Sequence, residues 1–486
     1  MARQGRVLAA AGLFAAAAAV RIFRLDHFSY GLDEILQAYF IGGDWAFLWK
    51  SLKFDAVHPP LDYLLDRIVE PLSPADWARK LLPVAWGLGT IGAVGALLAR
   101  RVGRPAGWTA ALLLTFAPFH VRYSQELRPY SLGLFLLALS LLFLDGYLER
   151  PGAGRLAALW LACLGTAYAL YLAAVVLAIA AAAMLAEDSF SADSGRRRAA
   201  RRFLMWSPLF LAALFVAYLP WWPYVLEATR RAPMAAPATA SWQRWNRILS
   251  FFAFAPIDGH LLGRKGPFFL LLVIAGAVLA WKRRGSRFLV AWGVGGLVVI
   301  DLLGQLHPHY DVSRRYLPAS LAFPALAALP IAALASKPRL RALAVIALAA
   351  VLAFDLRSLA IYFREGRADW RTLADYLRRE SPPQERVFTE NPYSQLCVAY
   401  YLVGPRWLFE RGRGGREVLN LDREIVRLTW SWRPRRKSLA CSRRRAAPRV
   451  CATGRADFLR SPFPKRRARI CVGSILPPAR TRSPRH

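Results

Sequence analysis

Two short stretches near the N-terminus carry residue types on which acid–base chemistry depends. They are Gly31-Leu32-Asp33-Glu34 and His58-Pro59-Pro60-Leu61-Asp62-Tyr63, and both follow the first apolar run of the chain. Charged groups at the rim of a membrane are costly, so their presence there indicates function by default. A carboxylate can act as a general base towards a hydroxyl. Asp33 and Glu34 are therefore candidate catalytic residues, and a solvated polar flank is the alternative.

A second group of motifs combines arginine with aromatic residues. One is Arg122-Tyr123-Ser124-Gln125-Glu126-Leu127-Arg128-Pro129-Tyr130, and the other is Arg314-Arg315-Tyr316, which follows His307-Pro308-His309-Tyr310. Planar, permanently charged guanidinium groups bind phosphate oxygens in pairs. A base together with such cations suits a reaction in which a hydroxyl attacks and a phosphate leaves. The alternatives are a helix-end ion pair for the first motif and headgroup anchoring for the second.

The segments that must position these motifs are apolar. Apolar residues make up 56% of the 486 residues, against ~45–50% in soluble proteins. They cluster in runs near the ~20 residues that cross a bilayer core, which predicts an all-α polytopic membrane protein. We predict eleven spans, near 7–23, 81–99, 106–121, 131–148, 156–170, 171–187, 203–226, 267–281, 288–303, 316–335 and 342–360. Arg21 and Arg24 follow the first run, which we interpret as a span rather than a cleaved signal peptide.

Loop charges predict the orientation of these spans. Alternate connections are short and basic, as at Arg100-Arg101-Val102-Gly103-Arg104 and Lys282-Arg283-Arg284, and the positive-inside rule places them in the cytoplasm. We therefore expect a multi-pass protein of the plasma (inner) membrane, with its chemistry on the extracytoplasmic face. The opposite connections are longer and hold the motifs above: 24–80, 122–130, 227–266 and 304–315.

The chain divides into a membrane part and an extension. Residues 1–360 form the predicted transmembrane domain, whose catalytic outer loop, 24–80, is long enough for amphipathic helices lying in the interface. Residues 361–430 form a small α/β extracytoplasmic extension, with a helix over 370–379 and a strand over 385–390.

Residues 431–486 differ from the rest of the chain. They hold seventeen Lys or Arg, a single acid, Asp457, and three of the five cysteines, without periodicity. Two interpretations account for this Arg-rich tail: a disordered basic segment, and out-of-frame translation of a GC-rich gene, which would also truncate the extension. We favour the second, since the chain has 58 Arg against 8 Lys. The tail therefore indicates no nucleic-acid partner, and its cysteine spacing fits no metal pattern.

One tempting motif is better explained by packing. Gly87-Leu88-Gly89-Thr90-Ile91-Gly92 matches the dinucleotide fingerprint, which needs a strand before it and a helix N-terminus to hold the pyrophosphate. Here it falls inside a predicted span, where small residues let helices approach closely.

Taken in order along the chain, the motifs resemble those of the GT-C glycosyltransferases. The resemblance rests on Asp-Glu after the first span, His-Pro-Pro-Leu-x-Tyr-Leu-Leu, Tyr-Ser-Gln-Glu-x-Arg-Pro-Tyr, a late Arg-Tyr pair followed by Pro, and Asp369-Trp370-Arg371, and it covers about residues 1–428. More narrowly, the chain looks like the bacterial protein mannosyltransferase and aminoarabinose transferase group, glycosyltransferase family 39-like. The resemblance implies an inverting hexosyl- or pentosyltransferase with a polyprenyl-phosphate-linked sugar donor and a lipid, polysaccharide or protein acceptor.

The resemblance also assigns roles to residues. Asp33 would be the base, with Glu34 beside it. Aminoarabinose transferases carry a lysine where this chain has His58, which we expect still to hydrogen-bond the phosphate. Some relatives bind a divalent metal near the first-loop carboxylate, and Asp33, Glu34 and His58 are the residues that would do so here. The remaining assignments are donor-phosphate binding by Arg128 and Arg315, and support by Glu126, Asp62 and Tyr123.

The alternative class is a polytopic transporter or flippase of lipid-linked sugars. Transporters tend to carry ionisable residues near the bilayer midplane, with broken helices and paired repeats. In this chain the charges gather at the predicted span ends, with Asp301 as a mild exception, and no repeat links the halves. The pattern therefore favours the transferase.

Overall fold

The chain forms two compact units in the computed structural model. The first consists of Met1–Leu25 and Trp45–Glu365, and the second of Asp26–Asp44 and Gly366–His486. Predicted outer-loop residues 232–264 and 307–312, with His307 and His309, lie outside the described residues. The structure describes residues 2–73, 75–231, 265–306, 313–365, 369–380 and 392–403, and the short strands given below.

Helices dominate the described chain, because in a bilayer each backbone N–H and C=O has to be satisfied within its own segment. A π-helical turn lies at Ala291–Gly295, and 3₁₀ turns lie at Glu70–Leu72, Ser313–Tyr316 and Pro338–Leu340. In chain order the helices are α1 (Ala2–Ile22), α2 (Leu32–Gly42), α3 (Trp45–Asp55), α4 (Leu61–Val69), α5 (Asp76–Arg79), α6 (Leu81–Arg101), α7 (Arg104–Phe116), α8 (Pro118–Ser124), α9 (Tyr130–Glu149), α10 (Ala153–Ala169), α11 (Tyr171–Ser189), α12 (Ser194–Tyr218), α13 (Trp222–Arg231), α14 (Lys265–Lys282), α15 (Phe288–Val290), α16 (Gly296–Leu306), α17 (Leu317–Ser320), α18 (Ala322–Ala335), α19 (Arg341–Glu365), α20 (Trp370–Glu380) and α21 (Pro392–Val403).

The prediction of an all-α polytopic membrane protein is confirmed. Among the described residues, seven helices are long and apolar enough to cross a membrane. All eleven predicted spans fall on helix, but some are shorter than expected or broken, as where Ala117 interrupts the 106–121 segment between α7 and α8. Ala117 is extended because it precedes Pro118, which disfavours the helical conformation of the residue before it.

The glycines of the apparent dinucleotide fingerprint serve helix packing. They lie in α6, between Leu81 and Arg101, and not at the start of a helix after a strand. A Cβ at Gly87 would lie 2.2 Å from Ser124 Oγ, and one at Gly89 would lie 2.6 Å from the Phe135 ring. The absence of side chains lets α6 approach α8 and α9, as expected for small residues in membrane helices.

Arg21 anchors the end of the first helix inside the protein. Its side chain is fully buried. The guanidinium donates to the Leu114 carbonyl at 3.1 Å and the Thr115 carbonyl at 3.1 Å, and lies 2.7 Å from His120 Nδ1. These contacts satisfy most of a charge that would be costly to bury alone, and they hold α1 against α7 and α8.

An ion-pair network closes the basic end of the first unit. Asp145 lies 2.8 Å from Arg100 Nε, 2.7 Å from Arg101 Nε and 2.7 Å from Arg196 Nη2. Asp188 pairs with Arg101 at 2.7 Å and with Arg196 at 3.0 Å. The network joins the ends of α6, α9 and α11 to the start of α12. Arginines predicted as a positive loop therefore also brace the bundle.

The second unit pairs the start of the predicted first outer loop with residues after the last predicted span. Tyr30 N–H donates to Tyr401 Oη at 2.6 Å, and the Tyr30 ring lies 5.9 Å from that of Tyr400. Both tyrosines belong to α21, beside which α2 packs. Leu377 of α20 and Val398 of α21 form the small apolar core.

Short strands complete the described part of the second unit. The predicted helix at 370–379 is present as α20, and the predicted strand at 385–390 is present in part as β1. Two strands lie in 431–486, where no regular structure was predicted, and each contains β-branched residues that favour extended backbone. The strands are β1 (Phe388–Thr389), β2 (Val418–Leu421), β3 (Glu424–Arg427), β4 (Arg449–Thr453) and β5 (Arg469–Gly473). β5 is parallel to both β1 and β4, and β2 is antiparallel to β3.

Candidate functional site

In the first unit, the His-Pro-Pro motif fixes the entry into α4. Pro60 is the residue before the helix, and Pro59 and Pro60 restrict the backbone because their rings fix φ. His58 therefore sits just before the helix, half-buried. Asp62 and Tyr63, in the first turn of α4, are buried, at 4% and 1% exposed.

The Tyr-Ser-Gln-Glu motif fills the tight connection between α8 and α9. Gln125 Nε2 donates to the carbonyls of Arg21 at 2.8 Å and Phe23 at 3.1 Å, and Gln125 Oε1 accepts from Tyr362 Oη at 3.0 Å. Gln125 therefore ties the exit of α1 and the last span to the motif. This positioning role was not predicted, since its partners are distant in sequence.

The structure brings the predicted phosphate-binding motifs of the first unit together. Arg128 Nη1 lies 3.5 Å from Tyr63 Oη, at the long limit of a hydrogen bond. The His58 ring packs edge-on against Tyr130, with 5.7 Å between centroids, and the Arg314 guanidinium lies 5.9 Å from the Tyr130 ring. Three sequence-distant motifs therefore converge. We call His58, Tyr63, Arg128, Tyr130 and Arg314 the cationic cluster.

Two predicted supporting residues border the cationic cluster. Tyr123 is buried, with its ring 5.3 Å from that of Tyr130. Glu126, 8% exposed, accepts from Arg122 Nε at 3.2 Å, so the ion pair expected as the structural alternative forms with Arg122 on the preceding turn.

The late arginine pair is divided between two surroundings. Arg314 lies over Tyr130, as above, whereas Arg315 Nη1 lies against Gly304 of α16, 3.7 Å from where a Cβ would be. The next residue, Tyr316, donates to Asp301 Oδ1 at 3.1 Å. Arg315 was the predicted phosphate ligand, and the structure adds Arg314 as a candidate.

The electrostatics of the cationic cluster are suited to an anion. Burial, together with the nearby charges of Arg128 and Arg314, holds the pKa of His58 well below its usual value, so the imidazole is neutral at pH 7 and can still donate a hydrogen bond. Burial raises the pKa of Tyr123 above its usual range, which keeps its hydroxyl protonated. Fixed cations beside neutral donors are suited to a phosphate.

In the second unit, Asp33 and Glu34 occupy different environments. Glu34 is 2% exposed, and its Oε2 accepts from the Gly31 N–H at 2.9 Å, which caps the start of α2. Asp33 is half-buried, and its charge adds to burial in raising the pKa of the Cys397 thiol to about 12. Glu34 thus has a structural role in addition to any chemical one, while Asp33 lies near α21.

The Asp-Trp-Arg motif positions the residues before Asp33. Asp369 caps α20 through a 3.1 Å hydrogen bond from the Thr372 N–H. The Trp370 N–H donates to Ser29 Oγ at 3.1 Å, and Arg371 pairs with Asp26 at 3.1 Å. The Asp-Trp-Arg motif, which in the sequence indicated only the family resemblance, therefore caps α20 and holds residues 26–29.

The described residues contain no group of three or more His, Cys, Asp or Glu side chains that could hold a metal ion. Asp33 and Glu34 belong to the second unit and His58 to the first, so their suggested metal set rests on the resemblance.

No protein-family model matches the sequence, and no curated protein does so either. Solved structures do match the chain in fold. ArnT from Cupriavidus metallidurans in the apo state is 15% identical, with a TM-score of 0.54 over 83% of this chain and 86% of that one. ArnT bound to undecaprenyl phosphate is 16% identical, with a TM-score of 0.49 over 82% and 85%. The Archaeoglobus fulgidus oligosaccharyltransferase is 12% identical, with a TM-score of 0.45 over 80% and 59%.

The chain therefore has the fold of the GT-C membrane glycosyltransferases, as the order of its motifs predicted. The likeness to apo ArnT, which spans most of both chains, carries this conclusion.

Proposed function

We propose that the protein is a membrane glycosyltransferase that moves a sugar from a polyprenyl-phosphate donor to an acceptor hydroxyl. The observation that carries the proposal is the cationic cluster, in which Arg128, Arg314 and neutral His58 converge on one place in the first unit. ArnT, whose fold the chain shares, binds undecaprenyl phosphate. We extend that class of donor to this chain.

The proposed reaction is a single displacement with inversion. The acceptor oxygen attacks the anomeric carbon, the bond from that carbon to the phosphate oxygen breaks, and polyprenyl phosphate leaves with the bonding electrons. Asp33 takes the hydroxyl proton as general base. Arg128 and Arg314 stabilise the charge that develops on the leaving phosphate.

The division of labour between the carboxylates follows from their environments. Glu34 holds the N-terminus of α2 through Gly31, which fixes the first turn on which Asp33 lies. Asp33 belongs to the same turn and is the more exposed of the two carboxylates. We therefore assign proton abstraction to Asp33 and positioning to Glu34.

We place the reaction on the extracytoplasmic face. The helix α9 begins at Tyr130, in the cationic cluster, and ends at Glu149, which pairs with Arg100 at the basic end. Its 20 residues span about 30 Å, since an α-helix rises ~1.5 Å per residue. The arginine-rich end corresponds to the cytoplasmic side by the positive-inside rule, so the cluster belongs to the outer side of a plasma (inner) membrane.

The test measures sugar transfer by the full chain in liposomes. Undecaprenyl-phosphate sugars with a radiolabelled hexose or pentose serve as donors, and a bacterial envelope extract supplies acceptors. Asp33→Asn should lower kcat by about 10²–10⁴-fold, the range of general-base catalysis. Arg128→Ala should lower kcat/KM for the donor by about 10–100-fold, as for a lost charge-assisted hydrogen bond, with kcat reduced as well as KM raised because Arg128 also stabilises the leaving phosphate.

The matched control is Asp375→Asn, because Asp375 lies in the same unit, its side chain is 44% exposed, and it pairs with Arg378. Full transfer by a folded Asp33→Asn protein would refute Asp33 as the base. Movement of the labelled lipid across the bilayer without transfer to any acceptor would identify a flippase instead.

A further inference from the structure

A cavity of about 650 Å³ opens on the first unit, outside the cationic cluster. It lies between the last turn of α11 and the connection from α14 to the π-helical turn. Its lining includes Glu187, Phe190, Trp281, Arg284, Arg287 and Val294.

The cavity belongs to the basic end of the bundle, away from the proposed catalytic machinery. Glu187 adjoins Asp188, which pairs with Arg101 at 2.7 Å. The same Arg101 contacts Asp145 near the C-terminus of α9, whereas the cationic cluster contains Tyr130, the first residue of that helix. A ligand in the cavity therefore lies roughly one helix length, ~30 Å, from the phosphate site.

The walls of the cavity are apolar and accessible. Phe190 is 75% exposed, Trp281 64% and Val294 45%. In a membrane protein such side chains at the end of a span face acyl chains, and tryptophan lies at the headgroup level. The π-helical turn Ala291–Gly295 contributes part of the wall, and such turns in helices are frequent at functional sites.

Two arginines give the rim a positive charge. Arg287 Nε donates to the Trp281 carbonyl at 2.8 Å, and its guanidinium lies 5.8 Å from the Trp281 ring, so its position is defined. Arg284 is exposed beside it. Basic pockets between membrane helices on the cytoplasmic side are binding places for lipid phosphates.

A carboxylate in the same cavity narrows the choice of lipid. Glu187 Oε1 accepts from the Gly285 N–H at 2.6 Å and the Arg287 N–H at 3.1 Å. Glu187 Oε2 is buried and has no hydrogen-bond partner among the described residues. A buried carboxylate oxygen is costly without a donor, and a purely anionic headgroup would bring it none.

We propose that this cavity binds a phospholipid whose headgroup carries a primary ammonium. The lipid phosphate lies between Arg284 and Arg287, the ammonium pairs with the Glu187 carboxylate, which turns to bring Oε2 out of its buried position, and an acyl chain follows Phe190 and Val294. A trimethylammonium headgroup has no N–H to donate, so the site distinguishes an ethanolamine from a choline headgroup.

The experiment measures phospholipid binding to the delipidated full chain in detergent by native mass spectrometry. The probes share dioleoyl chains and differ in the headgroup: phosphatidylethanolamine, its mono- and dimethyl forms, phosphatidylcholine and phosphatidylglycerol. We expect phosphatidylethanolamine to bind about tenfold or more tightly than phosphatidylcholine, as for one charge-assisted hydrogen bond, with phosphatidylglycerol also weaker.

Three variants assign the preference to this cavity. Glu187→Gln keeps an oxygen for the Gly285 and Arg287 amides, and it should reduce the ethanolamine preference to less than about threefold, since a neutral acceptor forms the weaker hydrogen bond. Arg284→Ala should weaken all the phospholipids alike. Arg150→Ala, an exposed arginine at the same end of the bundle, should change nothing.

Equal binding of the ethanolamine and choline lipids to the wild type would overturn the proposal, as would a preference for phosphatidylglycerol. An ethanolamine preference that survives in Glu187→Gln would place the selective site elsewhere. If Glu187→Gln fails to fold, the wild-type protein still tests the proposal: its affinity should fall from phosphatidylethanolamine through the mono- and dimethyl forms to a minimum at phosphatidylcholine.

Discussion

The contact between α14 and α18 provides a sharp test of the helix packing. A Cβ placed on Gly276 would lie 1.9 Å from the carbonyl oxygen of Leu326. Pro330 lies four residues after Leu326 within α18. Because proline has no N–H, the Leu326 oxygen lacks its usual donor in the helix, and it lies against Gly276. Weak Cα–H···O contacts recur at such helix interfaces.

Gly276→Ala should therefore separate the two helices. Cβ atoms essentially never approach within 3.0 Å of another heavy atom, so the methyl group needs a shift of at least 1.1 Å, the difference between 3.0 and 1.9 Å. The shift has to be taken up by backbone, since the obstacle is a carbonyl. Overpacking costs ~1–3 kcal/mol, with this contact at the upper end, and alanine returns ~1 kcal/mol in helix propensity. The net loss is about 2 kcal/mol.

The measurement is reversible unfolding of the purified protein in mixed micelles, followed by circular dichroism as the fraction of denaturing detergent rises. A loss of about 2 kcal/mol corresponds to a roughly 30-fold change in the unfolding equilibrium. Gly12→Ala is the control, because a Cβ at Gly12 meets nothing within 4 Å. That variant should be neutral or more stable by up to ~1 kcal/mol.

The reciprocal change makes the reasoning refutable. Pro330→Ala restores the N–H that can bond the Leu326 carbonyl within α18, so the Gly276→Ala penalty should shrink in that background. Equal stability of Gly276→Ala and Gly12→Ala would refute the close approach. An undiminished penalty in the Pro330→Ala background would refute the role of the proline.

Two further predictions follow from titratable groups outside the spans. Burial, together with Arg128 and Arg314, lowers the pKa of His58, so near pH 6.5 the unfolded chain binds a proton that the folded chain does not. The free energy of unfolding should therefore fall as the pH drops below about 6.5. His58→Gln should reduce that fall when unfolding is measured from about pH 7.5 to 5.5. Histidine NMR should show a neutral ring for His58 at about pH 6, and a charged ring would contradict the prediction. Burial and the charge of Asp33 raise the pKa of the Cys397 thiol to about 12, so this thiol should resist alkylation by iodoacetamide at about pH 8. Asp33→Asn should increase the alkylation of Cys397, measured by peptide mass spectrometry. An unchanged extent of alkylation would argue against the interaction between Asp33 and Cys397.

Much of the first unit could be predicted from local sequence. The length of the apolar runs predicts the helices, because the bilayer sets how many residues a span needs. The glycines of the 87–92 stretch predict close helix packing. Each of these inferences depends on residues that are neighbours in sequence or lie on the same helix.

The rest depends on partners that are distant in sequence. In the sequence, Gln125 is only one polar residue of a motif. In the structure, its side chain donates to carbonyls 102 and 104 residues earlier. Arg314 and Arg315 are equivalent in sequence, and the turn at Ser313–Tyr316 directs them to different surroundings. The pairing of 26–44 with the chain after 365 could not be predicted either, since no local pattern specifies which helix packs beside α2.

That pairing has a consequence for the timing of biosynthesis. Tyr30 and Tyr401, which are bonded across the second unit, are 371 residues apart in sequence. At a synthesis rate of roughly 5–20 residues per second, about 20 to 70 s separate their emergence from the ribosome. Most of the membrane helices, and with them the cationic cluster, can assemble in this interval, while α2 still lacks α21. On the proposed function, a nascent chain would hold its phosphate-binding residues before it has the helix that supports Asp33, so competence for transfer would arise only late in translation.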